Sequence, residues 1–444
     1  MANNAIANMF RIKELRDRLF FTFVVLVVFR LGCVLTIPGI NAQVLVNYFE
    51  ELARHNKNAF ASYMDFFAGG AFSNFSVFML GVMPYVSTQI ILQLALIIFP
   101  SLKRAAQEDG GQRKVAAWTR IGTVFVCLIQ SLAVTVYAAS IPGAIALENP
   151  LAFKLLAMLT VTTGAMITIW LGDQITAHGI GNGISMLIFA GIVARLPHAV
   201  LELRNRVADG SLNPVFVIIV LLMFIGIIAF VIYEQSGERK IPVHYAKRVV
   251  GRKMYGGQST YIPFKINPSG VIPVIFASSF LTFPLQIVSS LGNNQNSARW
   301  IASLSAKLNP TGWLYNILLV LLIIFFAYFY TQVTLNPTEI AKNIRENGGS
   351  IPGIRTDKTE EYMQKVLNRL VLPGSLYLAA IAVLPTIIQN LFGFPQSISM
   401  LMGGTSLLIL VGVDLDTMSQ VEALLKMHHA DGFVKKGKLR SRNL

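Results

Sequence analysis

Charge is scarce in this 444-residue sequence, and negative charge is scarcest. Charged residues make up 13% of the chain, with 22 Asp and Glu against 37 Lys and Arg, for a net charge of +15. An ordinary soluble domain carries about 25% charged residues. Together with a mean hydropathy of +0.58, this excludes such a domain. Cysteine is nearly absent. Cys33 and Cys127 both fall in apolar stretches, which leaves no disulfide framework and no cysteine metal site. Catalytic signatures are missing too: no HExxH, no serine-nucleophile elbow and no intramembrane GxGD. Asp173, Asp414 and Asp416 stand at the ends of apolar stretches, within reach of water. GIGNG, after Asp173, follows an apolar run rather than a strand, and GFVKKGKL in the tail places Leu439 where a phosphate loop needs Ser or Thr. These absences argue against an enzyme, and no cofactor is expected.

What the sequence does hold is long apolar runs. A membrane-spanning helix takes roughly 20 apolar residues. Ten candidates begin near Phe20, Ser73, Ala116, Leu151, Gly183, Pro214, Pro268, Trp313, Leu370 and Gln396. They end near Thr36, Ile97, Ser140, Leu171, Leu196, Tyr233, Leu291, Val333, Gln389 and Leu415. Most Lys and Arg residues gather in alternate connections: the N-terminus, 98–120, 234–267, 334–369 and the tail. Positive charge marks the cytoplasmic side, so both termini are expected there. The N-terminal MANNAIANMFRIKELRDRLFF lacks a short apolar core with a cleavage site, so the first span is expected to be retained. Ile6 to Leu19 reads as an amphipathic surface helix.

An even number of spans with both ends inside divides into two halves of five with inverted topology, a plan that recurs in transport proteins. The basic connection 234–267 is the seam, giving an N-terminal half over 1–233 and a C-terminal half over 234–444, with the sixth span grouped functionally with the second half. Between the first two spans stands AFASYMDFFAGGAFSNFS. Ala59 to Ala68 suits a helix too short to cross, broken by Gly69-Gly70. Its aromatics Phe60, Tyr63, Phe66, Phe67 and Phe72 favour burial over exposure, so a re-entrant half-helix is expected. Pro84, Pro273, Pro284 and Gly403-Gly404 read as interruptions inside spans. Ser87, Gln89 and Gln93 are polar at membrane depth in the second span. Only Arg30 lies well inside a span, and no acidic residue stands at similar depth, which argues against a coupled small-solute transporter without removing it.

Several segments carry a resemblance in a fixed order: GVMPYVSTQIILQL, GIGNGIS, IFAGIVARLP, IPVHYAKR, VIPVIFASS, NPTEIAKNIRENGGSIPGIR and GGTSLLI. Together they resemble the SecY family of protein-conducting channels over nearly the whole chain. The resemblance implies an all-α polytopic membrane protein: ten transmembrane helices in two pseudo-symmetric inverted halves, plus a half-helix plug. It implies a pore ring of Val82, Val86, Ile188, Ile275 and Ile409, with Ile184 one turn away. An apolar constriction dewets and so excludes ions. It implies a plug including Phe60, Tyr63, Phe66, Phe67, Gly69 and Gly70. It implies a lateral gate between the second and seventh spans with Ser87, Gln93, Gln130, Ser278 and Thr282 as polar candidates. Lys247, Arg248 and Arg355 are similar to positions that serve docking. The implied partners are the small subunits SecE and SecG, the motor ATPase SecA, the ribosome, signal sequences and the lipid of a bacterial cytoplasmic membrane.

Overall fold

The computed structural model describes residues 12–45, 47–48, 65, 68–139, 141–147, 149–210, 212–245, 248–250, 253–255, 259–292, 312–394, 398–399 and 404–433. The chain is mostly helical. Its helices are α1 (Lys13–Gly32), α2 (Met83–Ile98), α3 (Pro100–Gln107), α4 (Gly111–Ala139), α5 (Pro150–His178), α6 (Gly183–Ala208), α7 (Pro214–Gln235), α8 (Ile272–Gly292), α9 (Trp313–Thr334), α10 (Pro337–Glu346), α11 (Thr359–Phe392) and α12 (Thr405–Phe433). Each of the ten expected stretches contains at least part of a helix. Among the described residues, 6 helical segments are long and apolar enough to cross a membrane, or 7 if the pair α2 and α3, bent by 108°, counts as one.

Three Asn-Pro dipeptides open helices in the same way. The side-chain oxygens of Asn149, Asn213 and Asn336 accept from the backbone N–H of Leu151, Val215 and Thr338 at 3.1, 3.0 and 3.3 Å. Proline at the next position lacks only an N–H that would have been unpaired anyway. The GIGNG loop turns out to be another cap. Asn182 accepts from Ile184 and Ser185, and the loop is tied to distant helices: Ile180 N–H donates to Thr22 of α1 at 3.1 Å and Gly181 N–H to Gln420 of α12 at 2.9 Å.

The packing is inverted relative to a water-soluble bundle. On α4, Ile121, Phe125, Ile129 and Leu132 are exposed at helical spacing, whereas Thr119, Thr123, Cys127, Gln130 and Ser131 are buried. Similar outward stripes run along α5 (Leu151, Leu155, Leu159) and α9 (Trp313, Ile317, Leu321, Phe325). Lipid is the fitting solvent for such faces. The buried hydroxyls bond back onto their own helix: Thr123 to the Thr119 carbonyl at 2.7 Å and Thr135 to the Ser131 carbonyl at 2.6 Å. Small polar residues kept in this way let helices approach closely. Gly164 of α5 is an extreme case, since a β-carbon there would overlap the carbonyl of Val77.

Several sequence expectations need correction. Residues 13–19 belong to the same helix as residues 20–32, so α1 is continuous and no separate surface helix occurs at 13–19; residues 1–11 lie outside the described part. The second span is helical only from Met83. Residues 73–82 follow a chain of turns, and Pro84 lies in the first helical turn, where it starts the helix instead of kinking it. Pro273 likewise opens α8, while Pro284 does lie inside it. Gly404, at φ +67°, stands just before α12, because this left-handed conformation cannot continue a helix. The ninth stretch begins earlier than expected, at Thr359, and carries Pro373 and Pro385 within α11.

The all-α expectation also needs a supplement. The connection between α7 and α8 forms β1 (Glu238–Tyr245), β2 (Arg248–Val250), β3 (Lys253–Tyr255) and β4 (Ser259–Lys265). β1 pairs antiparallel with β4, and its far end pairs with β5 (Gly349–Ser350) from the connection between α9 and α11, giving the order β4-β1-β5. Ile241, Val243 and Phe264 pack with Ile344, Ile351, Met363 and Val366 beneath this sheet. The two basic connections are therefore one folded unit.

Gly164→Val is expected to destabilise the protein by about 1–3 kcal/mol, the usual cost of overpacking. Gly226→Ala, on open helix surface, is expected to be neutral or slightly stabilising. Thermal unfolding of both variants in detergent checks the contrast; equal midpoints would show that α5 does not need this close approach.

Candidate functional site

Four elements contribute to one apolar cluster, the place of the expected constriction. Val82 ends the irregular segment before α2, Ile188 lies one turn into α6, and Ile409 lies one turn into α12; all three are buried in one cluster. Ile275, near the start of α8, is half-buried against them. Val86, one turn beyond Val82, belongs to the neighbouring apolar cluster, and Ile184 and Ile275 touch both. Val82, Val86, Ile188, Ile275 and Ile409 are thus divided between two neighbouring apolar clusters, with Ile184 and Ile275 packed against both. Aliphatic side chains of this kind hold together by dispersion alone, without directional cross-links.

α2, α4 and α8 pack against one another beside this constriction. Ser87 spends its hydroxyl on the Met83 carbonyl at 3.0 Å. Ser278 donates to the carbonyl of Ile275 at 2.9 Å. Gln130 is buried on α4, and the Oε1 of Gln93 is buried without a partner. The side chain of Thr282 lies outside the described part. A contact not anticipated from the sequence crosses the seam: Ser279 Oγ of α8 donates to Met83 Sδ of α2 at 3.5 Å. The sequence candidate is its neighbour Ser278, and only the rotation of α8 decides between them.

Of the half-helix, Phe60, Tyr63, Phe66 and Phe67 lie outside the described residues. Its root is defined. Asp65 forms an ion pair with Arg195 of α6, and its Oδ1 accepts from the Ser73 N–H at 2.7 Å. Arg30 of α1 donates to the Gly69 carbonyl at 2.7 Å. Gly69 has φ +63°, and a β-carbon on it would come 2.6 Å from Gly191 Cα, so only glycine fits against α6. This corrects the view that Arg30 is the one basic residue inside a span and that no acid stands nearby. Arg195 is also inside a helix, and Asp65 meets it. The clue in the sequence was a single aspartate within an aromatic run, but its partner could not be chosen by spacing. Asp173, by contrast, forms an exposed pair with Arg120 at 2.8 Å.

On the sheet unit, Arg355 is almost fully exposed, its Asp357 neighbour lying at 3.8 Å. Lys247 lies outside the described residues. Arg248 is in β2, at the tip of the β1–β4 ribbon, but its side chain is not described. Lys240 sits 4.7 Å over the Tyr261 ring.

The SecY family model matches residues 76–418. The protein translocase subunit SecY of Borreliella burgdorferi is 44% identical over 421 residues, covering 94% of each chain. That of Escherichia coli K12 is 40% identical over 431 residues, covering 96% of this chain and 95% of the other. Among solved structures, a protein-conducting channel aligns with TM-score 0.61 at 20% identity, covering 94% of each chain. A SecY protein whose plug domain stabilises the closed state of the translocation channel aligns with TM-score 0.63 at 19% identity, again over 94% of each. Sec61 in the canine ribosome–channel complex gives 0.59 at 18%, over 94% of each. Those structures share the fold; the sequence relatives establish kinship, and the chain belongs to the SecY family of multi-pass membrane proteins.

Proposed function

We propose that the chain forms the polypeptide-conducting channel of a Sec-type translocase. It passes unfolded secretory chains across a bacterial cytoplasmic membrane and releases apolar segments sideways into lipid. The observation that supports this reading is that Val82, Ile188 and Ile409, from three elements, share one buried apolar cluster against which Ile275 of a fourth is packed. Such a waist excludes water at rest through dewetting, and it grips no particular sequence when a chain passes. The small-solute transporter reading has no support among the relatives, which are translocase subunits.

The seam between α2 and α8 serves as the lateral gate in this reading. A signal sequence with an apolar core of about 7–15 residues partitions there between water and hydrocarbon. Residues 1–233 and 234–444 act as two halves that part at this seam, α7 moving with the second. The segment including Phe60 to Gly70 acts as the plug. The unit built from the two basic connections lies on the cytoplasmic side with both termini. It receives SecA or the ribosome through Arg355 and, at its tip, through Lys247 and Arg248. A channel complex at the ribosome is the setting of one structural relative. SecE and SecG complete the membrane complex. The chain performs no catalysis, so the driving energy comes from the partner.

The central test uses liposomes containing the purified protein with SecE, and SecA added outside. A secretory precursor is expected to become protease-protected only with ATP. Arg355→Glu is expected to cut protection at least about tenfold, equivalent to about 1.4 kcal/mol of docking energy, without changing membrane expression. No protection by well-folded protein would refute the channel. Deleting Phe60 to Gly70 is expected to raise resting ion conductance; unchanged conductance would refute the plug. Replacing Val82 and Ile275 together by Asn is expected to wet the waist and let precursors with defective signals through. Continued exclusion of those precursors would mean that the ring lies elsewhere.

A further inference from the structure

We propose that Asp65, Arg195 and Arg30 form a charge latch that sets how tightly the plug is held, independently of the lateral gate. This rests on the reading of the 60–70 segment as a plug. Asp65 uses both carboxylate oxygens: Oδ2 faces Arg195 and Oδ1 accepts the Ser73 N–H at 2.7 Å. Its own carbonyl accepts the Gly70 N–H at 3.0 Å, closing the turn that brings Gly69 back over α6. Arg30 holds the same turn from α1 by donating to the Gly69 carbonyl at 2.7 Å. The Asp65 side chain is 10% exposed and that of Arg195 24%. An ion pair so far withdrawn from water is costly to break by removing one partner, because the other charge remains buried. Here the imbalance would be larger, since the turn is flanked by two guanidinium groups and one carboxylate.

Position gives the latch its meaning. Ile188, Gly191 and Arg195 are spaced by three and four residues, so they line one face of α6. The ring residue and the latch are therefore about 10 Å apart on a single rigid rod. Gly191 between them receives Gly69 so closely that no side chain fits. All the latch groups come from α1, α6 and residues 65–73, within the first half of the chain. The seam of α2 and α8, with its Met83–Ser279 contact, shares none of them. Parting that seam leaves the latch intact, and breaking the latch leaves the seam intact. Two barriers, one to ions across the membrane and one to apolar segments sideways, can thus be set separately.

The experiment measures ion conductance of the full translocase complex in planar bilayers without precursor, alongside disulfide trapping of a Met83→Cys, Ser279→Cys pair. Asp65→Asn and Arg195→Gln are each expected to raise resting conductance about tenfold, with seam trapping unchanged. The exchange variant Asp65→Arg with Arg195→Asp is expected to recover most of the seal, which a merely misfolded protein would not do. If the single variants stay sealed while deletion of 60–70 leaks, the latch is refuted and the plug stands. If the deletion also stays sealed, the plug reading itself falls. Leaky single variants without recovery on exchange, or a seam that loosens with them, would also overturn the latch.

Discussion

The structure depends on one constraint: its surroundings are apolar, so backbone polar groups and many hydroxyls of the helices find their partners inside the protein. Helices meet the backbone demand. The hydroxyls of Ser87, Thr88, Thr119, Thr123, Thr135 and Thr168 meet theirs by donating to carbonyls one turn back. This frees the large apolar side chains for lipid and leaves an interior of small residues. Close approaches such as Gly164 against Val77 then become available. They let residues 73–82, which are not helical, cross the interior under the cover of α5.

The same constraint explains where the candidate site lies. Non-helical backbone at membrane depth is tolerated only where protein or a water-filled cavity covers it. The non-helical stretch 68–82 leads to Val82, which caps α2. Where the backbone departs from helical regularity, polar partners take over: Arg30 on the Gly69 carbonyl, and Asp65 on the Ser73 N–H. Residues 68–82 and the start of α2 are consecutive parts of the chain held by α1, α5 and α6.

Away from the membrane the ordinary rules return. The β1–β4 ribbon, with β5 from a separate connection, buries Ile241, Val243 and Phe264 and leaves its basic residues in water. By its charge alone the long basic connection 234–267 reads as a topology signal and a seam between halves, not as a sheet. Its strands read poorly because a two-residue partner strand at Gly349–Ser350 completes the sheet from far along the chain.

Local composition by itself determined that this is a helical membrane protein, because lipid contact demands apolar stripes and cytoplasmic loops retain basic charge, both properties of short windows. The order of motifs was enough to point to the family. The helix starts at Asn-Pro are local too, since a cap and its helix are neighbours, although the sequence expectations do not single them out. Only the tertiary structure decided that Pro84 begins a helix instead of bending one, that Ser279 reaches across the seam to Met83, and that Asp65 meets Arg195. Each of these depends on the rotation or the entry path of one segment relative to another far away in sequence. Such relations come from packing, which no local window of residues contains.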